Sequence, residues 1–218
     1  MTETYNAKAQ KNSVSVFSDI PISASLTIRY ALFYVIFFTL GLIGYYVVKL
    51  PFSDTLNGYI TSYFSYSFEL DKSISDNIAK LICVSYSDIR TLFLIFVGGF
   101  TMFSSAAIYG LLFYHALSLG FSALYLVNSM SAGLLSGVSF INLVFFLFSN
   151  AAVCAVIIIF SSKTRIFNDE FKRLGGRKKL IVKSKALYLQ IFTLFAVCGA
   201  VLFVNIIRFL INSFITKG

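Results

Sequence analysis

Hydrophobic stretches separated by polar segments dominate the chain. A helix needs about 20 mostly apolar residues to cross the hydrocarbon core of a bilayer. Four stretches satisfy this requirement, at residues 30–48, 91–113, 140–160 and 187–210. A fifth, at residues 116–137, is weaker because Ser118, Ser122, Asn128, Ser129 and Ser131 interrupt it. The pattern predicts an all-α fold class, a polytopic membrane helical bundle with short amphipathic interfacial helices.

Basic residues decide whether the weak stretch crosses the membrane. Short loops rich in Lys and Arg mark the cytoplasmic side. Positive residues lie in the N-terminal segment, at Lys8, Lys11 and Arg29, and the loop at residues 162–186 carries nine basic residues against two acidic ones, nine minus two being +7. Two cytoplasmic segments must be separated by an even number of crossings. We therefore expect five spans in a bacterial cytoplasmic membrane, with the N-terminus inside and the C-terminus outside.

Composition agrees with this interpretation. The chain is 58% hydrophobic and 12% charged, with a mean hydropathy of +0.83, values that exclude an ordinary soluble domain. We expect a mobile tail at residues 1–28 and one membrane domain at residues 29–214. The three cysteines form no metal-binding pair, so no cofactor is expected. Membrane lipids are expected partners. Nucleic acid is not expected, because topology explains the positive charge. No small-molecule substrate is expected either.

The segment at residues 51–88 is predicted to lie outside the cell. Its apolar residues recur at helical spacing, which predicts two short amphipathic helices. These helices either lie flat on the outer leaflet or form a docking surface for an extracytoplasmic partner. The candidate docking residues are Leu56, Tyr59, Ile60, Tyr63 and Phe64 in the first helix and Ile74, Ile78, Leu81 and Ile82 in the second.

Small and polar residues interrupt the predicted spans. Counting from the outer ends predicts a polar layer near the bilayer centre that contains Ser104, Ser105, Asn128 and Asn150. This layer either joins helices by hydrogen bonds or forms a hydrophilic path. Glycines allow helix backbones to approach closely, and we expect this role for Gly98, Gly99, Gly110, Gly120, Gly133 and Gly137.

Candidate catalytic chemistry is sparse. His115 is expected at the inner end of the second span as an interfacial polar residue, and Arg208 is expected to reach the outer surface. A hydrolase that pairs Ser104 or Ser105 with His115 is disfavoured, because no GxSxG elbow is present. HExxH and phosphate-loop motifs are missing too. We therefore expect no enzyme and no catalytic or metal-binding residues.

The basic loop combines apolar spacing with positive charge. Phe167, Phe171 and Leu174 lie at i, i+4 and i+7, and Arg177, Lys178 and Lys179 follow them. An interfacial helix whose three basic residues bind lipid headgroups fits this pattern. A contact with a cytoplasmic ATPase is the alternative.

The run from Asp88 to Arg90, LFLIFVGGFTMF and then YHALSLGFSALYL resembles the family of stage II sporulation protein M (SpoIIM). The resemblance covers residues 28–212, and its specific part is the Gly98, Gly99, Phe100 run followed by residues 118–121, Ser-Leu-Gly-Phe. It implies a non-enzymatic membrane scaffold that anchors extracytoplasmic SpoIID-like and SpoIIP-like peptidoglycan hydrolases at the septal membrane during engulfment in sporulation. The alternative function is the membrane permease subunit of an ABC-type transporter that works with a separate ATPase.

Overall fold

The computed structural model describes residues 23–68, 74–131, 140–173 and 180–217, and these residues form five α-helices. They are α1 (Ala24–Phe68), α2 (Ile74–Gly99), α3 (Ser104–Ser131), α4 (Phe140–Arg173) and α5 (Leu180–Lys217). Their apolar portions are long enough to cross a bilayer, at Ala24–Val47, Ser75–Gly99, Ser104–Asn128, Val144–Arg173 and Ser184–Ile211. The predicted all-α bundle of five membrane-spanning helices is confirmed.

The predicted second span, residues 91–113, is wrong because a turn divides it. Helix α2 ends at Gly99, and the amides of Phe100 and Thr101 donate to the carbonyls of Val97 and Gly98, each at 3.1 Å. The Thr101 hydroxyl also donates to the Gly98 carbonyl, at 2.7 Å. Two adjacent glycines weaken the helix here. Hydropathy did not reveal the turn, because its residues Phe100, Met102 and Phe103 are apolar. We call the end of the bundle that contains residues 100–103 the turn end.

This turn shifts the spans that precede and follow it. Residues from Ile74 onward belong to α2, so the predicted external segment at residues 51–88 does not exist as such. The first predicted amphipathic helix is the continuation of α1, which runs through Pro51 to Phe68. Asp76, Lys80 and Asp88 had lowered the hydropathy of α2 and hidden it. Residues 116–131 of the predicted third span, 116–137, belong to α3, which begins at Ser104, and the rest of that span lies outside the described residues.

The predicted tail and basic loop are also shorter than expected. Helix α1 begins after Ser23, whose side-chain oxygen accepts from the Leu26 amide at 3.3 Å as an N-cap. The predicted tail therefore overlaps the first residues of α1. Helix α4 continues past residue 160 to Arg173, and α5 begins at Leu180, so most of the predicted loop at residues 162–186 is helical.

Glycine brings α1 and α3 into backbone contact. A Cβ atom added to Gly120 would overlap the carbonyl oxygen of Phe38, and one added to Gly41 would overlap the carbonyl oxygen of Leu117. Gly120 therefore packs directly against α1 and not against another part of the Gly-rich run. Gly41, which pattern analysis did not select, contributes equally.

The remaining glycines differ from one another. A Cβ on Gly98 would lie 3.1 Å from the Ala107 side chain, and one on Gly99 would overlap the Thr164 side chain. Gly110 faces open space, so its predicted packing role is wrong. Gly133 and Gly137 lie outside the described residues.

Candidate functional site

A carboxylate and an imidazole meet in the middle of the bundle. Asp88 lies 11 residues before the end of α2 and His115 lies 11 residues after the start of α3, so the turn places them at the same height. At 1.5 Å per residue this height is about 16 Å from the turn end, near the middle of a hydrocarbon core of about 30 Å. His115 Nε2 and Asp88 Oδ1 are 3.0 Å apart, and their side chains are only 8% and 13% exposed.

Two further side chains extend this contact into a chain of hydrogen bonds. The Tyr34 hydroxyl of α1 lies 2.7 Å from His115 Nδ1 and 3.0 Å from Cys154 Sγ of α4. Four side chains from four different helices thus form one line, Asp88–His115–Tyr34–Cys154. Three of them, Tyr34, His115 and Cys154, are buried. We call this line the polar chain.

With Asp88 ionised and His115 neutral, the inventory of donors gives the polar chain one direction. An ionised Asp88 only accepts, so His115 Nε2–H donates to it and Nδ1 becomes the acceptor. Tyr34 then donates its one proton to Nδ1, and its oxygen accepts from the Cys154 thiol. Every hydrogen therefore points from Cys154 towards Asp88.

Asp88 and His115 open onto a polar cavity of about 90 Å³. Arg208 of α5 also lines it, and this residue is only 8% exposed. The Arg208 guanidinium lies 4.7 Å from the ring centroid of Phe146, a favourable cation–π position. The expectation that Arg208 reaches the outer surface is therefore wrong. The other lining residues are Val84, Ser87, Tyr114, Ser118, Leu119, Ser122 and Asn150.

An apolar cavity of about 320 Å³ adjoins the polar one. It lies between α1, α3 and α4, and Tyr34 and Cys154 line it. We call it the apolar groove. The remaining lining residues are Ala31, Val35, Phe38, Leu119, Ala123, Phe146, Leu147, Asn150, Ala151, Ala155 and Ile158.

Helix α4 clamps the turn between α2 and α3. The Asn168 amide donates to Ser104 Oγ at 3.0 Å, and Arg165 also donates to this oxygen. Lys172 Nζ donates to the Thr101 carbonyl at 3.2 Å. Rings reinforce the contact, since Phe167 and Phe171 of α4 each lie 5.9 Å from Phe100. The last turns of α4 and residues 100–104 therefore form one polar and aromatic cluster, which we call the turn clamp.

The predicted polar layer is wrong, because its members lie at different heights. Ser104 contacts Asn168 at the turn end, whereas Asn150 lies 18 residues earlier in α4, about 27 Å away along the helix. Asn128 lies near the opposite end of α3 from Ser104 and from the half-buried Ser105. The prediction fails because hydropathy does not reveal the turn, so the depth of Ser104 in the bilayer is measured from the wrong end of its helix.

The disfavoured hydrolase pair is absent from the described bundle. Ser104 and His115 are 11 residues apart on one helix, about 16 Å. Ser104 Oγ accepts from Asn168, while both ring nitrogens of His115 contact other groups. Among the residues that the structure describes, no group of three or more His, Cys, Asp and Glu side chains could hold a metal ion.

The predicted docking residues are only partly described. Ile78 and Ile82 are 52% and 58% exposed on α2, and Leu81 is half-buried. The helical backbone of α1 includes the first five candidates, but their side chains and that of Ile74 lie outside the described part of the chain. The predicted headgroup contacts Arg177, Lys178 and Lys179 lie outside it as well.

Pattern analysis did not select Tyr34, Asp88, Cys154 or Arg208 as site residues. A signal existed for two of them: once α2 is placed at residues 74–99, Asp88 is a carboxylate within a span, and Arg208 lies within α5. Ionisable residues inside spans usually face a cavity or one another. Tyr34 and Cys154 carry no such signal, because both residue types are common in apolar helices.

Comparison with models of known protein families, with curated proteins and with solved structures finds no match. The resemblance to the SpoIIM family therefore stays a prediction.

Proposed function

We propose that the chain is the membrane permease subunit of a transporter, with its substrate site in the polar cavity. The supporting observation is the meeting of Asp88, His115 and Arg208 around that cavity. Ionisable groups are costly within a bilayer and mark substrate, ion or proton pathways in membrane proteins. This proposal replaces the expectation that no small-molecule substrate is bound.

The turn clamp supports coupling to a separate ATPase. Lys172 and Arg173 are exposed at the end of α4, where a partner could contact them. The same helix end holds Thr101 and Ser104. Because the turn joins α2 to α3, a displacement of the clamp would move the helices that carry Asp88 and His115. In the proposed orientation the turn end faces the cytoplasm of a bacterial cell, together with the N-terminal tail.

Co-purification tests the partner. The tagged chain should retain an ATPase from its native membrane, and the double substitution Lys172→Glu with Arg173→Glu should abolish this retention. Arg29→Glu with Lys185→Glu is the matched control, because both residues are exposed in the first turns of α1 and α5 and the change in charge is equal. Equal retention by both double variants would contradict the coupling contact.

Thiol accessibility tests the site. In a variant that lacks the native cysteines, Ser122→Cys places a thiol on the cavity wall, and Ala200→Cys places one on an exposed face of α5. A water-soluble maleimide should modify the first and not the second. The side of the membrane from which modification occurs should change when ATP hydrolysis is blocked. Failure of Ser122→Cys to react from either side would exclude a substrate path through this cavity.

A scaffold that anchors wall hydrolases is the second candidate, supported by the exposed ridge of Ile78, Ile82 and Tyr86 on α2. These residues recur every four positions and present one face of the helix. Ile78→Asp, or Tyr59→Ala with Tyr63→Ala, should weaken recruitment of an extracytoplasmic hydrolase while the protein still inserts into the membrane. A pull-down that these substitutions leave unchanged would count against the scaffold.

A further inference from the structure

Arg90 is an exposed charge in the interior of a membrane-spanning helix. It lies nine residues before the end of α2, about 14 Å from the turn end and thus at the depth of the hydrocarbon core. The other exposed charged side chains that the structure describes lie near helix ends. Within the described bundle the Arg90 guanidinium has one partner, the ring of Tyr86, whose centroid is 5.8 Å away. Charged side chains within spans almost always face protein or a cavity and pair with another group, so this face of α2 is poorly suited to lipid.

Arg90 belongs to a regular seam on α2. Cys83, Ser87, Arg90, Leu94 and Val97 follow one another in steps of four and three residues, and all five are exposed. Their average spacing of about 3.5 residues is that of a helix packed along another helix in a left-handed coiled coil. Bundles of transmembrane helices mostly have this geometry. We call these five residues the α2 seam.

The α2 seam adjoins the mouth of the polar cavity. Ser87 belongs to both, and Tyr114 and Ser118 of α3 also line the cavity. All three residues are exposed, and because a serine side chain is short, the surface that lines the cavity is also the exposed one. The cavity therefore opens between α2 and α3. Asp88 lies at this mouth with 13% of its side chain exposed, and His115 contacts Oδ1 of its carboxylate. An ionised carboxylate accepts on both oxygens, so Asp88 can accept from a second donor as well.

A second copy of the chain carries the counter-charge for Arg90 at the right depth. Copies insert in the same orientation, so a two-fold axis between them runs along the membrane normal and only residues of similar height meet. Asp88 and Arg90 are two residues apart in α2, about 3 Å in height. The other described carboxylates, Asp76, Asp169 and Glu170, lie near helix ends. Each copy thus presents one cation and one carboxylate at matching heights beside the same seam.

We propose that the chain forms a parallel two-fold dimer in the membrane through the α2 seam, in which Arg90 of each copy enters the mouth of the other copy's polar cavity and donates to Asp88. The arginine of the second copy thereby completes the cavity wall between α2 and α3. The two contacts are identical by symmetry, since each copy supplies one arginine and one carboxylate. This inference does not depend on whether the chain transports a substrate or anchors a partner.

Disulfide crosslinking of the full-length chain in its native membrane tests the seam. A variant with Cys154→Ser and Cys198→Ser retains Cys83 on the seam. The matched control carries Ile82→Cys in a variant without native cysteines, since Ile82 is 58% exposed at nearly the same height but lies about 100° away around the helix. Oxidation catalysed by copper phenanthroline should join two copies through Cys83 at least tenfold more than through Ile82→Cys. Equal crosslinking of the two variants, or none through Cys83, would overturn the interface.

Variants of the charged pair distinguish an intersubunit contact from an arginine that reaches the lipid headgroups. Arg90→Leu should raise the dissociation constant of the dimer about tenfold or more, because it removes one partner of a desolvated charge pair. Arg90→Lys should restore part of the affinity. Energy transfer between differently labelled copies in liposomes measures the dissociation constant, and association of Arg90→Leu as tight as that of the unaltered chain would contradict the proposal.

Asp88→Asn identifies the partner of Arg90. This variant should also weaken the dimer, and Arg90→Leu should have little further effect in the Asp88→Asn background because the pair is already broken. Equal losses caused by Arg90→Leu in the two backgrounds would overturn the pairing of these residues. Crosslinking through the native Cys83 needs neither substitution, so it tests the dimer even if a charge variant fails to fold.

Discussion

The polar chain makes the stability of the bundle depend on a single hydroxyl group, that of Tyr34. Tyr34→Phe retains the ring but removes the donor to His115 Nδ1 and the acceptor for Cys154. A thiol is a weak donor, so the orphaned imidazole nitrogen dominates the loss. A buried polar atom without a partner costs about 1–3 kcal/mol. We expect Tyr34→Phe to destabilise the protein by this amount.

His115→Leu should cost more, because it leaves the Asp88 carboxylate without its imidazole partner. A buried charged group that loses its hydrogen-bond partner costs more than the roughly 1–3 kcal/mol of a neutral group. In the His115→Leu background, Tyr34→Phe no longer orphans a ring nitrogen and should cost less. The two residues should therefore be coupled by about 0.5–3 kcal/mol in a double-mutant cycle.

Reversible unfolding in mixed micelles measures these free energies. Tyr46→Phe is the matched control, since Tyr46 lies on the same helix with 58% of its surface exposed. It should change the free energy of unfolding by less than about 0.5 kcal/mol. A Tyr34→Phe protein as stable as the Tyr46→Phe control, with no coupling to His115, would refute the polar chain.

Two further predictions concern helix packing and orientation. Gly120→Ala should destabilise the protein by about 1–3 kcal/mol through overlap with the Phe38 carbonyl, whereas Gly110→Ala, in open space, should be neutral or stabilising by up to about 1 kcal/mol. Thermal unfolding in detergent distinguishes them, and equal behaviour of the two variants would contradict the α1–α3 contact. In intact cells a membrane-impermeant maleimide should modify Asp71→Cys and not Lys172→Cys in a variant without native cysteines. The reverse result would invert the orientation.

Hydropathy and charge were sufficient to predict the class of fold. The number of spans followed from apolar length and from the parity argument, both of which average over many residues. The boundaries of the spans could not be predicted in this way, because the turn at residues 100–103 is as apolar as the helices it joins. A short turn of this kind leaves no polar signal in a hydropathy profile. Adjacent Gly98 and Gly99 are the local signal of the turn, but the sequence pattern alone also fits a role in helix packing.

The candidate site depended on that boundary. With α2 placed at residues 91–113, Asp88 fell outside the membrane and His115 fell at an inner surface. Moving the helix end to Gly99 brings both to mid-height and aligns them with Arg208 around one cavity. Tyr34 and Cys154 could not have been found in this way, because their role arises only from contacts between helices distant in sequence.

The hydrogen bonds of the polar chain connect the polar cavity, lined by Asp88 and His115, with the apolar groove, lined by Tyr34 and Cys154. If His115 takes up a proton from the polar cavity, Nε2–H still donates to Asp88 and Nδ1 also carries a hydrogen, which it donates to the Tyr34 oxygen. Tyr34 then has to turn its hydroxyl hydrogen towards the sulfur atom of Cys154. Protonation in the polar cavity would thus reverse the dipole of the Tyr34 hydroxyl at the apolar groove, without movement of any helix.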